Sequence, residues 1–253
     1  MLEGWLALGL DARGVAVFDP YASPGIETLC AARGARLNPP RETVAPPEVL
    51  ALAIKPQGLD AAAPEIAGFV GPKTLVVSIM AGKTVANIRA RLPAKAVVRA
   101  MPNTPAAVGR GVTGAFPDAG VSPRQRAMAD ALLRAIGGVE WVADEALIDA
   151  VTAVSGSGPA YVFYMVECMA AAGVAAGLPD DIALRLARAT VEGSGELLHR
   201  DAGTPAGQLR VNVTSPGGTT AAALGVLMAK DGLAPLMERA VAAAKRRAGE
   251  LSG

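Results

Sequence analysis

The sequence predicts an α/β domain, a doubly wound parallel sheet, followed by an all-α domain. Three observations carry this. The chain has 253 residues, of which 51% are hydrophobic and 19% charged, enough apolar matter for one large domain or two of ordinary size. Up to about residue 140, short apolar runs alternate with helical stretches. After Trp141 the strand signal stops and only helical patterns remain. The division is therefore drawn as residues 1–143 and 144–253.

The apolar runs come in order at 15–18, 49–54, 74–79 and 96–100. Each is too short for a stable helix, rich in β-branched residues and almost uniformly apolar, as a strand buried on both faces of a parallel sheet must be. Helix-like segments at 25–33, 61–70 and 84–92 lie between them. That alternation is the βαβ pattern. The second half reads as helices at 145–154, 159–176, 180–199, 219–229 and 233–251, with breaks at 155–159, 177–179 and 215–218. Asp180 and Asp181 after Pro179 read as a helix start, where carboxylates suit the orphan N–H groups. Lys245, Arg246 and Arg247 place positive charge toward a helix C-terminus. Small-residue runs at 170–172, 221–223 and 242–244 suit close helix packing, and the expected outlet is a homodimer.

Composition excludes several classes. The 24 basic and 23 acidic residues leave a net charge of +1, without the basic footprint of a nucleic-acid protein. Cys30 and Cys168 form no CxxC pair and are expected to be reduced core thiols; His199 is the only histidine, so neither a metal site nor a histidine triad is expected. The N-terminus lacks the basic and apolar regions of a signal peptide. Residues 161–178 approach the length of a membrane span but contain Glu167 and glycines. They are read as a buried helix of a soluble, cytoplasmic protein without a membrane partner.

A parallel sheet binds ligands beyond the carboxyl ends of its strands. Asp19 follows the first run, where an acid either bonds the ribose hydroxyls of NAD or is a turn residue. Lys55-Pro56-Gln57 follows the second run, Met80-Ala81-Gly82-Lys83 the third, and Met101-Pro102-Asn103-Thr104-Pro105-Ala106 the fourth. The prolines of the last loop hold Asn103 and Thr104 in place. In the helical half, Val213-Thr214-Ser215-Pro216-Gly217-Gly218-Thr219-Thr220 opens a helix. Free N–H groups there can bind a small carboxylate; an ordinary capped helix start is the alternative.

Four segments in order resemble the pyrroline-5-carboxylate reductase family: Ala53-Ile54-Lys55-Pro56, Met101-Pro102-Asn103-Thr104-Pro105, Ser155-Gly156-Ser157-Gly158-Pro159-Ala160-Tyr161 and Thr214-Ser215-Pro216-Gly217-Gly218-Thr219-Thr220. The likeness runs from Met1 to about Leu251. It implies a Rossmann-like domain followed by a helical domain that interlocks two subunits, with higher oligomers built from dimers. It implies reduction of 1-pyrroline-5-carboxylate to L-proline with NADPH or NADH, the last step of proline synthesis. By the same likeness Ala53, Lys55 and Pro56 line the ribose and pyrophosphate, Ala81 and Gly82 the nicotinamide ribose, and Asn103 and Thr104 the nicotinamide. Glu145, Asn212, Ser215, Gly218, Thr219 and Thr220 match substrate-side positions, with Thr220 as the catalytic hydrogen-bonding residue.

One departure stands out. The family's first strand and glycine-rich phosphate loop are not in the sequence, since Met1-Leu2-Glu3-Gly4-Trp5-Leu6 already reads as the first helix. Two expectations follow: a native start upstream of Met1, or a protein that lacks these parts and has a gap in its sheet. Val211 is a smaller departure, because many relatives carry an acid there. The competing functions are a cofactor-deficient dimeric binding protein, suggested by the missing loop, and a hydroxy-acid dehydrogenase. Enzymes of the latter kind use a lysine in the helical half, and residues 151–212 contain none.

Overall fold

The structure, a computed structural model, describes residues 1–252. The chain divides into two compact units. The first comprises Met1–Gly156 together with the described residues from Lys245 onward, the second Ser157–Ala244. The sequence division at 143/144 falls within the first unit. Glu145 and Asp149 there are tied to the sheet through Arg99, and so is Ser252 at the other end of the chain.

The first unit opens with helix α1 (Leu2–Ala7), strand β1 (Ala16–Val17), α2 (Pro24–Arg33) and β2 (Arg36–Leu37). It continues with β3 (Val49–Leu52), α3 (Leu59–Ala67), β4 (Leu75–Ser78), α4 (Val85–Arg89), β5 (Ala96–Met101), β6 (Gly111–Pro117), α5 (Pro123–Arg134) and β7 (Gly137–Trp141). The four strands expected from apolar runs are β1, β3, β4 and β5. Strands β2, β6 and β7 and helix α5 were not read from the sequence.

The strands form two sheets. β1 and β2 make a parallel pair, and β3-β4-β5-β6-β7 form the second sheet in chain order. β1 and β3 are each paired on one side only. One pairing departs from the parallel expectation: β5 and β6 run antiparallel, with Val98 opposite Pro117 and Met101 opposite Gly114. A short connection, residues 102–110, makes this possible, since a parallel return needs a crossover of a dozen residues or more.

Alternation along β4 and β5 builds two cores. Val76 and Val97 join one cluster with Leu59, Ala63 and Ile88 from α3 and α4. Leu75, Val77, Ala96 and Val98 face the other way, onto Ala129 and Leu133 of α5. All four residues of β4 are buried, which explains the uniformly apolar run. Capping boxes, Thr84 with Asn87 and Ser122 with Gln125, open α4 and α5. Helix α1 docks on the end of α5, where the Trp5 indole donates to Leu132 O at 2.8 Å.

After β7 come α6 (Leu147–Val151) and a five-residue π-helical turn, Thr152–Gly156. The break expected at 155–159 falls at Ser157, a bend between this π turn and the start of α7 at Gly158. Ser155 Oγ donates to Val151 O and Thr152 Oγ1 to Ile148 O, so the hydroxyls bond back along the helix rather than ending it.

The second unit holds α7 (Gly158–Ala175), α8 (Asp180–Arg200), α9 (Ala206–Asn212), α10 (Thr219–Leu227) and most of α11 (Leu233–Ser252). Helix α9 was not expected. The continuous run Leu147–Ala175 is long and apolar enough to cross a membrane by length and composition. In the single chain none of the α7 residues is buried, contrary to the buried helix read from residues 161–178. Cys30 is buried as expected, but Cys168 on α7 is exposed. The reason is shared: among the described residues α7 packs chiefly against α8, which leaves much of its surface exposed.

Candidate active site

The residues singled out from sequence fall into two groups, one in each compact unit. In the first unit they follow the carboxyl ends of four strands. Asp19 comes just after β1. Its backbone N–H donates to Asn38 Oδ1 and its carbonyl accepts from Asn38 Nδ2, both at 2.8 Å. Asn38 takes a left-handed conformation, φ 46°, which asparagine tolerates better than most residues. The Asp19 carboxylate accepts from Tyr21 N–H at 2.9 Å. Here one carboxylate oxygen closes the turn, and the backbone clamp fixes where the carboxylate lies.

Ala53 and Lys55 are exposed just past β3, and Pro56 begins a short 3-10 turn, Pro56–Gly58. Ala81 is exposed and Gly82 half-buried in the connection from β4 to α4. Gly82 has φ +68°, and a Cβ there would lie 2.8 Å from the carbonyl oxygen of Leu251. Both constraints select glycine. After β5, the Asn103 amide oxygen accepts from Val112 N–H at 2.9 Å, fixing the start of β6. Thr104 next to it is exposed at the head of the turn Thr104–Val108. An acid after one strand, a cation after the next, an open glycine after the third and an amide with a hydroxyl after the fourth suit a dinucleotide's ribose, pyrophosphate and nicotinamide ends.

Glu145 belongs to this unit too, and its carboxylate is engaged by the chain itself. Oε1 accepts from the Val85 N–H at 2.8 Å and from Arg99 Nη1 at 3.3 Å. Glu145 thus caps α4 in the first unit. Sequence reading missed Arg99 as well. The signal was available: one arginine inside Ala96-Val97-Val98-Arg99-Ala100 must find partners, because a buried charge is otherwise too costly.

In the second unit, Asn212 ends α9, and its amide oxygen accepts from Gln208 Nε2 at 2.8 Å. Thr214 Oγ1 donates to Arg210 O. Gly217 takes φ +70°, and Gly218 N–H donates to Ser215 O at 3.0 Å, closing a tight turn. Gly218 then caps α10 with no side-chain hydrogen bond. Ala222 N–H makes the return bond to Gly218 O. The preceding first-turn amides, with Thr219 and the half-buried Thr220 beside them, have no side-chain cap. Such a helix start presents N–H donors and partial positive charge to a small anion.

Residues 145–251 match the family described as pyrroline-5-carboxylate reductase dimerisation. A pyrroline-5-carboxylate reductase of Pseudomonas aeruginosa is 41% identical over 250 residues, covering 96% of this chain and 91% of the relative. One from Synechocystis is 49% identical over 204 residues, 81% of this chain and 75% of its own. Among solved structures, the pyrroline-5-carboxylate reductase of Coxiella burnetii superposes with a TM-score of 0.90 at 34% identity, covering 100% of this chain and 93% of that one. The Plasmodium falciparum pyrroline carboxylate reductase, solved with NADP bound, shares the fold at a TM-score of 0.78 and 24% identity, covering 99% and 92% of the two chains. Sequence, fold and the glycine-capped start of α10 agree: the chain belongs to the pyrroline-5-carboxylate reductase family.

Proposed function

We propose that this protein reduces 1-pyrroline-5-carboxylate to L-proline as a soluble, cytoplasmic homodimer, and that the residue roles are as follows. The substrate is a cyclic imine carrying a carboxylate. Once its nitrogen is protonated, C5 is electrophilic. NAD(P)H, when bound, supplies the hydride that C5 accepts. The chain's own task is to bind, orient and polarise. The amides of Gly218 and Thr219 hold the carboxylate, with Ser215 shaping the turn beside it. The Thr220 hydroxyl hydrogen-bonds the ring nitrogen, which keeps the proton. Asn212 supports the same loop from the end of α9.

On the dinucleotide side, Asp19 faces the adenosine ribose. Ala53, Lys55 and Pro56 line the pyrophosphate, Ala81 and Gly82 the second ribose, and Asn103 and Thr104 the nicotinamide. No histidine or thiol is needed, which agrees with one histidine and two cysteines in the whole chain. The observation that carries this reading is the α10 start, where the Thr214–Thr220 sequence makes a helix N-terminus with a glycine cap and two threonines. The homodimer rests on the exposed apolar side of α7, with Phe163 63% and Tyr164 65% exposed in the single chain. The test is consumption of NADH or NADPH by the purified chain on addition of pyrroline-5-carboxylate, with proline as product. A folded dimer that binds the imine and consumes no dinucleotide would instead be the cofactor-deficient binding relative.

A further inference from the structure

The end of the chain and the connection from β4 to α4 meet at one buried arginine. Arg99 sits in β5 and is 3% exposed. Its guanidinium reaches three oxygens: Glu145 Oε1 at 3.3 Å, Asp149 Oδ1 at 3.4 Å and Ser252 Oγ at 3.4 Å. Each partner leads elsewhere. Glu145 Oε1 also accepts from the Val85 N–H at 2.8 Å, capping the first turn of α4. Ser252 Oγ lies 3.4 Å from Asp149 Oδ1 and donates to Ala248 O at 3.0 Å, which closes the last turn of α11. One residue earlier, Leu251 rests against Gly82: a Cβ on that glycine would stand 2.8 Å from Leu251 O and 3.0 Å from Leu251 Cβ.

The connection carrying Ala81 and Gly82 is therefore held from two sides by groups that share one cation. The Glu145 cap fixes its far end at Val85. The last turn of α11 supports its middle at Gly82. A buried guanidinium with three acceptors in place is rigid, because each broken contact leaves charge short of a partner.

We propose that Arg99 and Glu145 are positioning residues for the dinucleotide: they set the β4–α4 connection in its binding conformation, and the C-terminal turn completes the clamp through Ser252. This rests on the dinucleotide-side assignment of Ala81 and Gly82 made above. It gives Glu145 a part other than the substrate contact implied by resemblance, carried by Oε1, which accepts from both Val85 N–H and Arg99.

Glu145→Ala is the informative variant, because Asp149 remains as counter-ion to Arg99 and the fold is kept. In the full-length protein the dissociation constants of NADH and NADPH, read from nicotinamide fluorescence, should rise about fivefold, the scale of one lost cap. Glu145→Gln keeps an oxygen for Val85 N–H and should recover part of that loss. Ser252→Ala should weaken binding about twofold. Hydrogen exchange across residues 80–87 of the free protein should quicken in Glu145→Ala. The KM for the imine should stay within about twofold of wild type. Unchanged dinucleotide affinity in folded Glu145→Ala would overturn the proposal. So would a rise in the imine KM alone, which would make Glu145 a substrate contact. A wild-type chain that binds dinucleotide but does not reduce the imine would refute the proposed reaction, and the affinity comparison would still decide the clamp. A wild-type chain that binds no dinucleotide would overturn both.

Discussion

The two compact units are built on opposite terms. In the first, strands β4 and β5 are buried almost throughout, and side chains such as Leu75, Val76, Ile88, Val97 and Leu133 have no exposed surface. In the second, Ala183 and Ala187 are the only buried residues. Helices α7 to α10 display Phe163, Tyr164, Met165, Leu184, Leu197 and Val226 instead. Large apolar side chains left exposed in such number point to an association site. The sheet unit carries its own core, while the helical unit leaves large apolar side chains exposed in the single chain, the surface that the proposed homodimer would cover. The match of residues 145–251 to a dimerisation family accords with that difference.

The contrast can be broken most severely at α7. Phe163→Asp should abolish the dimer at micromolar concentration, a loss of about 4 kcal/mol or more, and loosen the helical unit while the sheet unit stays folded. Sedimentation velocity and circular dichroism would read both effects. A dimer of unchanged stability would show that α7 lies outside the interface. In the sheet unit, Ile88→Ala should cost about 2–5 kcal/mol of unfolding free energy and leave the association constant alone. Denaturant titration at two protein concentrations separates these effects.

Smaller changes sharpen the comparison at the level of chemistry. Thr220→Ala should lower kcat/KM by about 10- to 1000-fold, the range for a hydrogen bond made mainly in the transition state; unchanged kinetics would remove Thr220 from the mechanism. Asp19→Ser should shift the NADH-to-NADPH ratio of kcat/KM toward NADPH by about tenfold, since a carboxylate beside the ribose repels a 2′-phosphate. Residues 19–32 contain no lysine or arginine to offset it. A ratio that does not move would place the ribose elsewhere.

The smallest effect concerns Asp130. The Arg134 guanidinium, 2.6 Å away, and then the Trp141 indole hold its carboxyl below the usual range. A depressed carboxyl pKa stabilises the fold above the unfolded value, and that contribution fades as the pH falls through the folded value. Wild type should thus be slightly more stable than Asp130→Asn at neutral pH, and the two should converge in acid. Thermal unfolding followed by tryptophan fluorescence across the acid range checks this. A gap that widens on acidification would contradict it.

Much of the sheet unit was legible because burial leaves a pattern. Strands β4 and β5 read as apolar runs since both their faces are covered. Strand β6, Gly111–Pro117, was invisible: two glycines and a threonine break the run, although Thr113, Gly114 and Ala115 are buried. Strand β7 begins with two glycines and alternates afterwards, so it carries little signal over five residues. In the helical half, the expected helix at 180–199 closely matches α8, and the break at 155–159 contains the bend at Ser157 that precedes α7. Glycine and serine mark that stop, and the hydroxyls of Thr152 and Ser155, bonding back to the helix, accompany the π turn just before it.

The site was legible in its parts. Glycines, threonines and prolines at fixed spacing identified the α10 start and the loops after the strands, because backbone conformation and helix capping are local and written in neighbouring residues. The sequence by itself thus determined the α/β-then-α order, the positions of the loops and the family. The partition of the strands into two sheets, the reversal between β5 and β6 and the bare outer side of α7 needed the tertiary structure. So did the meeting of Arg99 with Glu145, Asp149 and Ser252. These join residues far apart in the chain, and pairing between distant segments depends on which surfaces are left to cover, a property no local window of residues contains.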